Sequence, residues 1–162
     1  MINTLNIISY AAAETHTLGF YLGLTAQAGD LILMTGELGA GKTKMTQGIA
    51  EGLGIAERPR SPTFVMATEY MGRLPLYHID LYRVEQAPEL NELGVDEYVS
   101  AQGVTVIEWA DRVPEMFLSD CLWVSLDATN HETRNIKLVA NVSRYLTFID
   151  CLRGTNLLPG ND

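Results

Sequence analysis

Hydrophobic and polar positions in this chain follow two periods in turn, and the switches between them outline strands and helices. Leu31–Thr35 (Leu-Ile-Leu-Met-Thr) is an unbroken apolar run of strand length, the pattern of a strand buried on both faces. Ala11–Leu24 sets Leu18 and Leu22 four residues apart, as a helix does, and Gly29-Asp30 stops it. Lys42–Leu53 brings Met45, Ile49 and Leu53 onto one helical face, with Gly54 as the C-cap. Further strands are predicted at Asn6–Ser9, Phe64–Tyr70, Leu76–Asp80, Val104–Ile107, Cys121–Asp127 and Ile136–Ala140. Pro88–Leu93 is predicted as a short helix before Gly94, and Arg144–Leu152 as a closing helix.

Spacing constrains the topology. Between the strands at 64–70 and 76–80 there is room only for the turn Met71-Gly72-Arg73, whereas a parallel connection needs a crossover of about a dozen residues or more. These two strands must form an antiparallel hairpin, and the last two strands are expected to pair the same way. The central sheet is therefore expected to mix parallel and antiparallel strands.

The chemistry begins where the buried strand ends. Gly36-Glu37-Leu38-Gly39-Ala40-Gly41-Lys42-Thr43 follows a strand and opens a helix, which is the context a phosphate-binding P-loop requires. Its glycines permit backbone angles that turn amide N–H groups inward around an anion. The start of the following helix directs unpaired N–H groups and the positive dipole end to the same place. Lys42 supplies a point charge to the β- and γ-phosphates, and the Thr43 hydroxyl can ligate Mg²⁺. The fold class expected is α/β: a P-loop NTPase-like single domain over residues 1–154, its mixed central sheet flanked by helices. Residues 155–162 read as a mobile tail.

Composition narrows the role without naming it. A chain of 162 residues suits one core, and 47% hydrophobic with 19% charged residues argues against disorder. The net charge of −9 argues against a broad phosphate-neutralising surface, although Arg58 and Arg60 lie close together. No apolar run is long enough to span a bilayer, and the N-terminus lacks a cationic segment before an apolar one. Cys121 and Cys151 follow no metal-ligand spacing and read as reduced thiols. The expectation is a cytoplasmic protein with no membrane contact.

Hydrolysis needs a held metal and a positioned water. Two acids stand at the ends of buried strands: Glu108 after Val-Thr-Val-Ile, and Asp80 after Leu-Tyr-His-Ile. Sequence logic does not decide between them for the metal. The hydroxyls of Ser61-Pro62-Thr63 could reach a γ-phosphate as a switch loop does, or the segment could be an ordinary turn. His78 is read as a structural histidine on the strand face opposite Asp80, and Trp109 as a core residue.

Taken together, the P-loop, Ser61-Pro62-Thr63-Phe64, Tyr77-His78-Ile79-Asp80-Leu81-Tyr82-Arg83, Glu92-Leu93-Gly94 and Glu108-Trp109 resemble the TsaE (YjeE) family over about residues 36–109. These are small bacterial ATPases of tRNA threonylcarbamoyladenosine synthesis. The resemblance implies an ATPase that works with TsaD and TsaB and meets tRNA indirectly, through that complex. It implies Mg²⁺ held by Thr43 and Glu108, roles for Asp80 and Thr63 in activity, and Trp109 near the nucleotide. Glu37 to Lys44 would bind the nucleotide, and Arg134 is the candidate nearest the base. Where many relatives have a second threonine this chain has Lys44, whose side chain is expected to point outward with little effect. A small-molecule kinase would need an arginine-rich lid, and none is present. A GTPase would need an Asn-Lys-x-Asp segment, which is also missing, so ATP is favoured. A nucleotide-gated assembly factor with incidental hydrolysis is the remaining alternative.

Overall fold

The computed structural model describes residues 2–62, 67–99, 102–117, 120–140 and 142–153, apart from the Cys151 side chain. Seven strands form one sheet: β1 (Asn3–Ser9), β2 (Leu31–Thr35), β3 (Ala67–Met71), β4 (Pro75–Asp80), β5 (Val104–Glu108), β6 (Leu122–Ala128) and β7 (Arg134–Ala140). Their order is β1-β7-β6-β2-β5-β4-β3. The central four, β6, β2, β5 and β4, run parallel, while β3 pairs antiparallel to β4 and β7 pairs antiparallel to both β6 and β1. The sheet is mixed, as the short turn at 71–73 requires.

The helices are α1 (Ala12–Thr25), α2 (Lys42–Gly52), α3 (Pro88–Glu92), α4 (Val95–Val99) and α5 (Ser143–Arg153). Strand β2 explains its own apolar run by facing two cores. Ile32 and Met34 point to the core with Leu18, Met45, Ile49 and Phe148 from α1, α2 and α5. Leu31 and Leu33 point to the other, with Leu90 and Val95 from α3 and α4. The buried residues of β4 divide similarly: Leu76 joins the first core and Ile79 the second.

The predicted helices and strands are present with ends shifted by a few residues. Residues 64–66 of the predicted strand lie outside the described residues, as does the predicted tail at 155–162. Helix α4 was not foreseen; Gly94 at φ +67° turns the chain between α3 and α4. Cys121 is buried with a free thiol, and burial raises its pKa. Among the described residues no helix is long and apolar enough to cross a membrane.

One packing feature holds the phosphate-loop helix in place. Gly19 and Gly23 of α1 face Gly48 and Gly52 of α2, and each glycine lies against the opposite backbone. A Cβ on Gly48 would sit 2.1 Å from the His16 carbonyl oxygen, and one on Gly23 would sit 2.1 Å from that of Ile49. Only residues without a side chain allow so close a crossing.

Candidate functional site

The glycine-rich loop leaves β2 and reaches α2 through three left-handed backbone turns, at Gly36 (φ +147°), Gly39 (φ +79°) and Gly41 (φ +108°). Gly36 also passes Leu126 closely enough that a Cβ would lie 2.5 Å from its carbonyl oxygen. Gly41 is the N-cap of α2, and Met45 N–H donates to the Gly41 carbonyl at 3.0 Å. The cradle faces a cavity lined by Leu38 to Lys44 on one side and by Ser61, Asp80, Tyr82, Glu108 and Trp109 on the other. Glu37 is exposed and contributes its backbone carbonyl, not its side chain.

Lys42 is almost fully buried, at 5% exposure, and folds back onto its own loop. Its ammonium donates to the carbonyls of Gly36 and Glu37, the latter at 2.9 Å. It also lies 4.0 Å from the centre of the Trp109 ring. Burial lowers its pKa, and the charges of Glu108, Asp80, Asp111 and Glu37 oppose that shift. Trp109 is the sole non-glycine with positive φ among the described residues (φ 60°, ψ 34°), a conformation that costs about 1 kcal/mol or more. That turn, directly after Glu108, brings the indole over the lysine. Tyr82 packs beside it with ring centroids 4.9 Å apart, and the Arg112 guanidinium lies 5.5 Å from both rings. Trp109 thus lines the cavity instead of the core.

The opposite wall is set by strand register. Parallel pairing aligns Asp80 of β4 with Glu108 of β5, and Glu108 with Met34 of β2, at the carboxyl ends of all three strands. Ligand sites of parallel sheets form at these ends. The Thr43 hydroxyl lies 3.1 and 3.3 Å from the two Glu108 carboxylate oxygens. Asp80 is engaged differently: Ser61 Oγ donates to its Oδ2 at 2.8 Å, and the Tyr82 amide to its Oδ1 at 2.8 Å. The two acids left equivalent by the sequence therefore differ, with Glu108 next to the Thr43 hydroxyl and Asp80 holding the start of the Ser61-Pro62-Thr63 segment. Thr63 lies outside the described residues.

The reading of His78 is corrected by its surroundings. Residues 76, 78 and 80 lie two apart and share a face, so His78 and Asp80 point the same way. His78 is fully buried and its Nε2 lies 2.8 Å from Glu108 Oε1. Nδ1 has no hydrogen-bond partner. The tautomer protonated at Nε2 donates to Glu108 and leaves only an acceptor unpaired, which is cheaper than a buried unpaired donor. His78 is a support for Glu108. Thr46, one turn after Lys42, adds a longer contact to the same oxygen at 3.4 Å.

Arg134 begins β7 and clamps the loop from outside. Its Nε donates to the Ala40 carbonyl at 3.0 Å, one Nη to Gly39 at 3.2 Å, and the other Nη to the carbonyls of Asn130, His131 and Thr133. It also borders a second cavity beside the loop, together with Ala11, Thr15, Gly41, Lys44 and Glu132. Its donors are directed to backbone, so its contribution there is the shape of the cavity wall. Lys44 borders both cavities and a third groove beside Gln47 and Glu51, which corrects the expectation that its side chain points away from the site.

The donor set is hard oxygen: one hydroxyl and one carboxylate at the loop, with Asp80 nearby. That chemistry fits Mg²⁺, which binds through one or two carboxylates plus substrate phosphates and water. Among the described residues no group of three or more His, Cys, Asp or Glu forms an all-protein metal cage.

Comparison with known proteins gives a consistent result. A family model described as threonylcarbamoyl adenosine biosynthesis protein TsaE matches residues 9–136. The Bacillus subtilis (strain 168) tRNA threonylcarbamoyladenosine biosynthesis protein TsaE is 41% identical over 133 residues, covering 82% of this chain and 83% of that protein. The protein of the same description from Treponema pallidum (strain Nichols) is 38% identical over 130 residues, 78% of this chain and 96% of its own length. The crystal structure of Bacillus subtilis YdiB superposes with a TM-score of 0.81 at 34% identity, covering 95% of this chain and 97% of that one.

Proposed function

The chain belongs to the TsaE family, P-loop ATPases of tRNA threonylcarbamoyladenosine biosynthesis, and from that premise we propose how its residues divide the work. The chain acts with TsaD- and TsaB-type proteins, the TsaD-type partner carrying out the transfer to adenosine, and meets tRNA through that complex. The loop amides from Leu38 to Lys44 hold the phosphates of ATP. Lys42 leaves the Gly36 and Glu37 carbonyls for the β- and γ-phosphates. Thr43 and Glu108 would hold Mg²⁺, which neutralises charge on the bridging phosphate oxygens. Asp80 orients the attacking water, and Thr63 contacts the γ-phosphate from a segment tethered to Asp80 through Ser61. The single observation that carries this reading is the Thr43 hydroxyl set 3.1 Å from Glu108 at the mouth of a glycine cradle.

Hydrolysis would release the Ser61–Phe64 segment and so change affinity for the partner. The test is ATP turnover with purified TsaD and TsaB, with and without tRNA. Turnover is expected to rise with the partners and to fall to background in Glu108→Ala. Full turnover by Glu108→Ala or Lys42→Ala in the assembled complex would contradict the mechanism. ATP consumption that instead depends on a small-molecule acceptor would favour a kinase.

A further inference from the structure

We propose that the Lys44 side chain is a ligand of the nucleotide, pairing with the phosphate nearest the nucleoside, and that it strengthens ATP and ADP binding alike. The inference deepens the nucleotide reading above and rests on it.

The argument starts from placement. The cavity over the cradle carries the groups suited to terminal phosphates and metal, namely Lys42, Thr43, Asp80 and Glu108. The cavity on the far side of the loop is bordered by Ala11, Thr15 and Arg134, away from those groups. A nucleotide with its phosphate tail in the first and its nucleoside in the second must cross where the two meet. Ala40, Gly41 and Lys44 border both, and of these only Lys44 bears a charge. The phosphate that spans this junction is the one attached to the ribose.

Electrostatics favours the same assignment. Lys44 is half-buried and forms no ion pair among the described residues. Its helical neighbours at i+3 and i+4 are Gln47 and Gly48, so no acid on its own helix face balances it. The first turn of α2 holds two lysines and no acid, at a helix end that is already positive. Other charged groups bordering its surroundings are Glu132 and Arg134 in the second cavity and Glu51, Glu57 and Arg58 in the outer groove. An anion at the junction relieves this unbalanced positive charge. Because the phosphate next to the ribose is common to ATP and ADP, the contact binds substrate and product equally.

Isothermal titration of ADP and of Mg-ATP into the wild-type chain and into Lys44→Thr, Lys44→Gln and Lys44→Arg tests this. The expected result is about tenfold weaker binding of both nucleotides to the Thr and Gln variants, with Arg close to wild type. The wild-type advantage should shrink as salt is raised, since the contact is partly exposed. Thermal unfolding without nucleotide should be unchanged or slightly higher in the Thr variant. Affinities within twofold of wild type at low salt, or a loss confined to ATP, would overturn the proposal. If the wild-type chain binds neither nucleotide, the reading of the site itself fails first, and the proposal with it.

Discussion

The two walls of the nucleotide cavity are built in opposite ways. The cradle wall, Gly36–Thr43, is contiguous, made of backbone amides, and shaped by local glycine conformations at Gly36, Gly39 and Gly41. The carboxylate wall is assembled from distant parts of the chain, with Asp80 and Glu108 brought side by side only by the pairing of β4 with β5. The cradle can grip an anion whether or not the other wall is intact. The carboxylate wall matters only once the anion is there. Binding and turnover should therefore separate by wall.

Lys42→Ala breaks the cradle at its one buried cation. It should weaken Mg-ATP binding by at least about 100-fold, measured by titration, because a charge-assisted contact in a low-dielectric site is lost. The same loss is expected without added magnesium. Gly48→Leu attacks the cradle from behind, by forcing α1 and α2 apart where a Cβ already meets the His16 carbonyl at 2.1 Å. It should cost about 3 kcal/mol of stability in urea unfolding, more than the roughly 1 kcal/mol that leucine gains over glycine in helix propensity.

Changes on the carboxylate wall should leave binding largely intact. His78→Gln removes the imidazole that fixes Glu108 but keeps an amide able to donate. Its expected effect is about tenfold lower turnover, within the range for residues that orient metal ligands, with a higher magnesium requirement and ADP affinity within about twofold. His78→Leu, which cannot donate, should lose more. Equal losses of ADP affinity and turnover in these variants would erase the distinction between the walls.

The smallest effect concerns protons. Burial lowers the pKa of Lys42 in the free protein, and phosphates favour its charged form. Below that lowered pKa the ammonium is already present and ATP affinity is flat with pH. Above it a proton must be taken up on binding, so affinity falls as pH rises, and the fall begins below the pH at which an ordinary lysine titrates. Lys42→Arg should abolish that break in a titration series across alkaline pH, because arginine stays charged.

The same contrast explains what the sequence revealed. The cradle was readable because strand, glycines, lysine and helix follow one another, and Leu31–Thr35 showed its double burial in five consecutive apolar or small residues. The hairpin at 71–73 was readable because a short connection excludes the alternative. The choice between Asp80 and Glu108 was not, since it depends on which hydroxyl each meets across strands. His78 was misplaced although its spacing from Asp80 puts both on one face, and its tie to Glu108 comes from β4–β5 pairing. The glycine contact between α1 and α2 had a visible signal, Gly19 and Gly23 matched by Gly48 and Gly52, each pair four apart. In soluble helices such glycines read as weakening residues until a partner backbone is found against them. Arg134 was expected near the base because its charge was noticed, but its guanidinium is engaged by loop carbonyls that a linear sequence does not display.

The account stands most directly on one structure: this chain crystallised with magnesium and a non-hydrolysable ATP analogue. The predicted result is phosphate oxygens ringed by the Leu38–Lys44 amides, the Lys42 ammonium moved from the Gly36 and Glu37 carbonyls onto those oxygens, and Thr43 and Glu108 at the metal. An empty loop with Lys42 still on its own carbonyls, at saturating nucleotide, would contradict it.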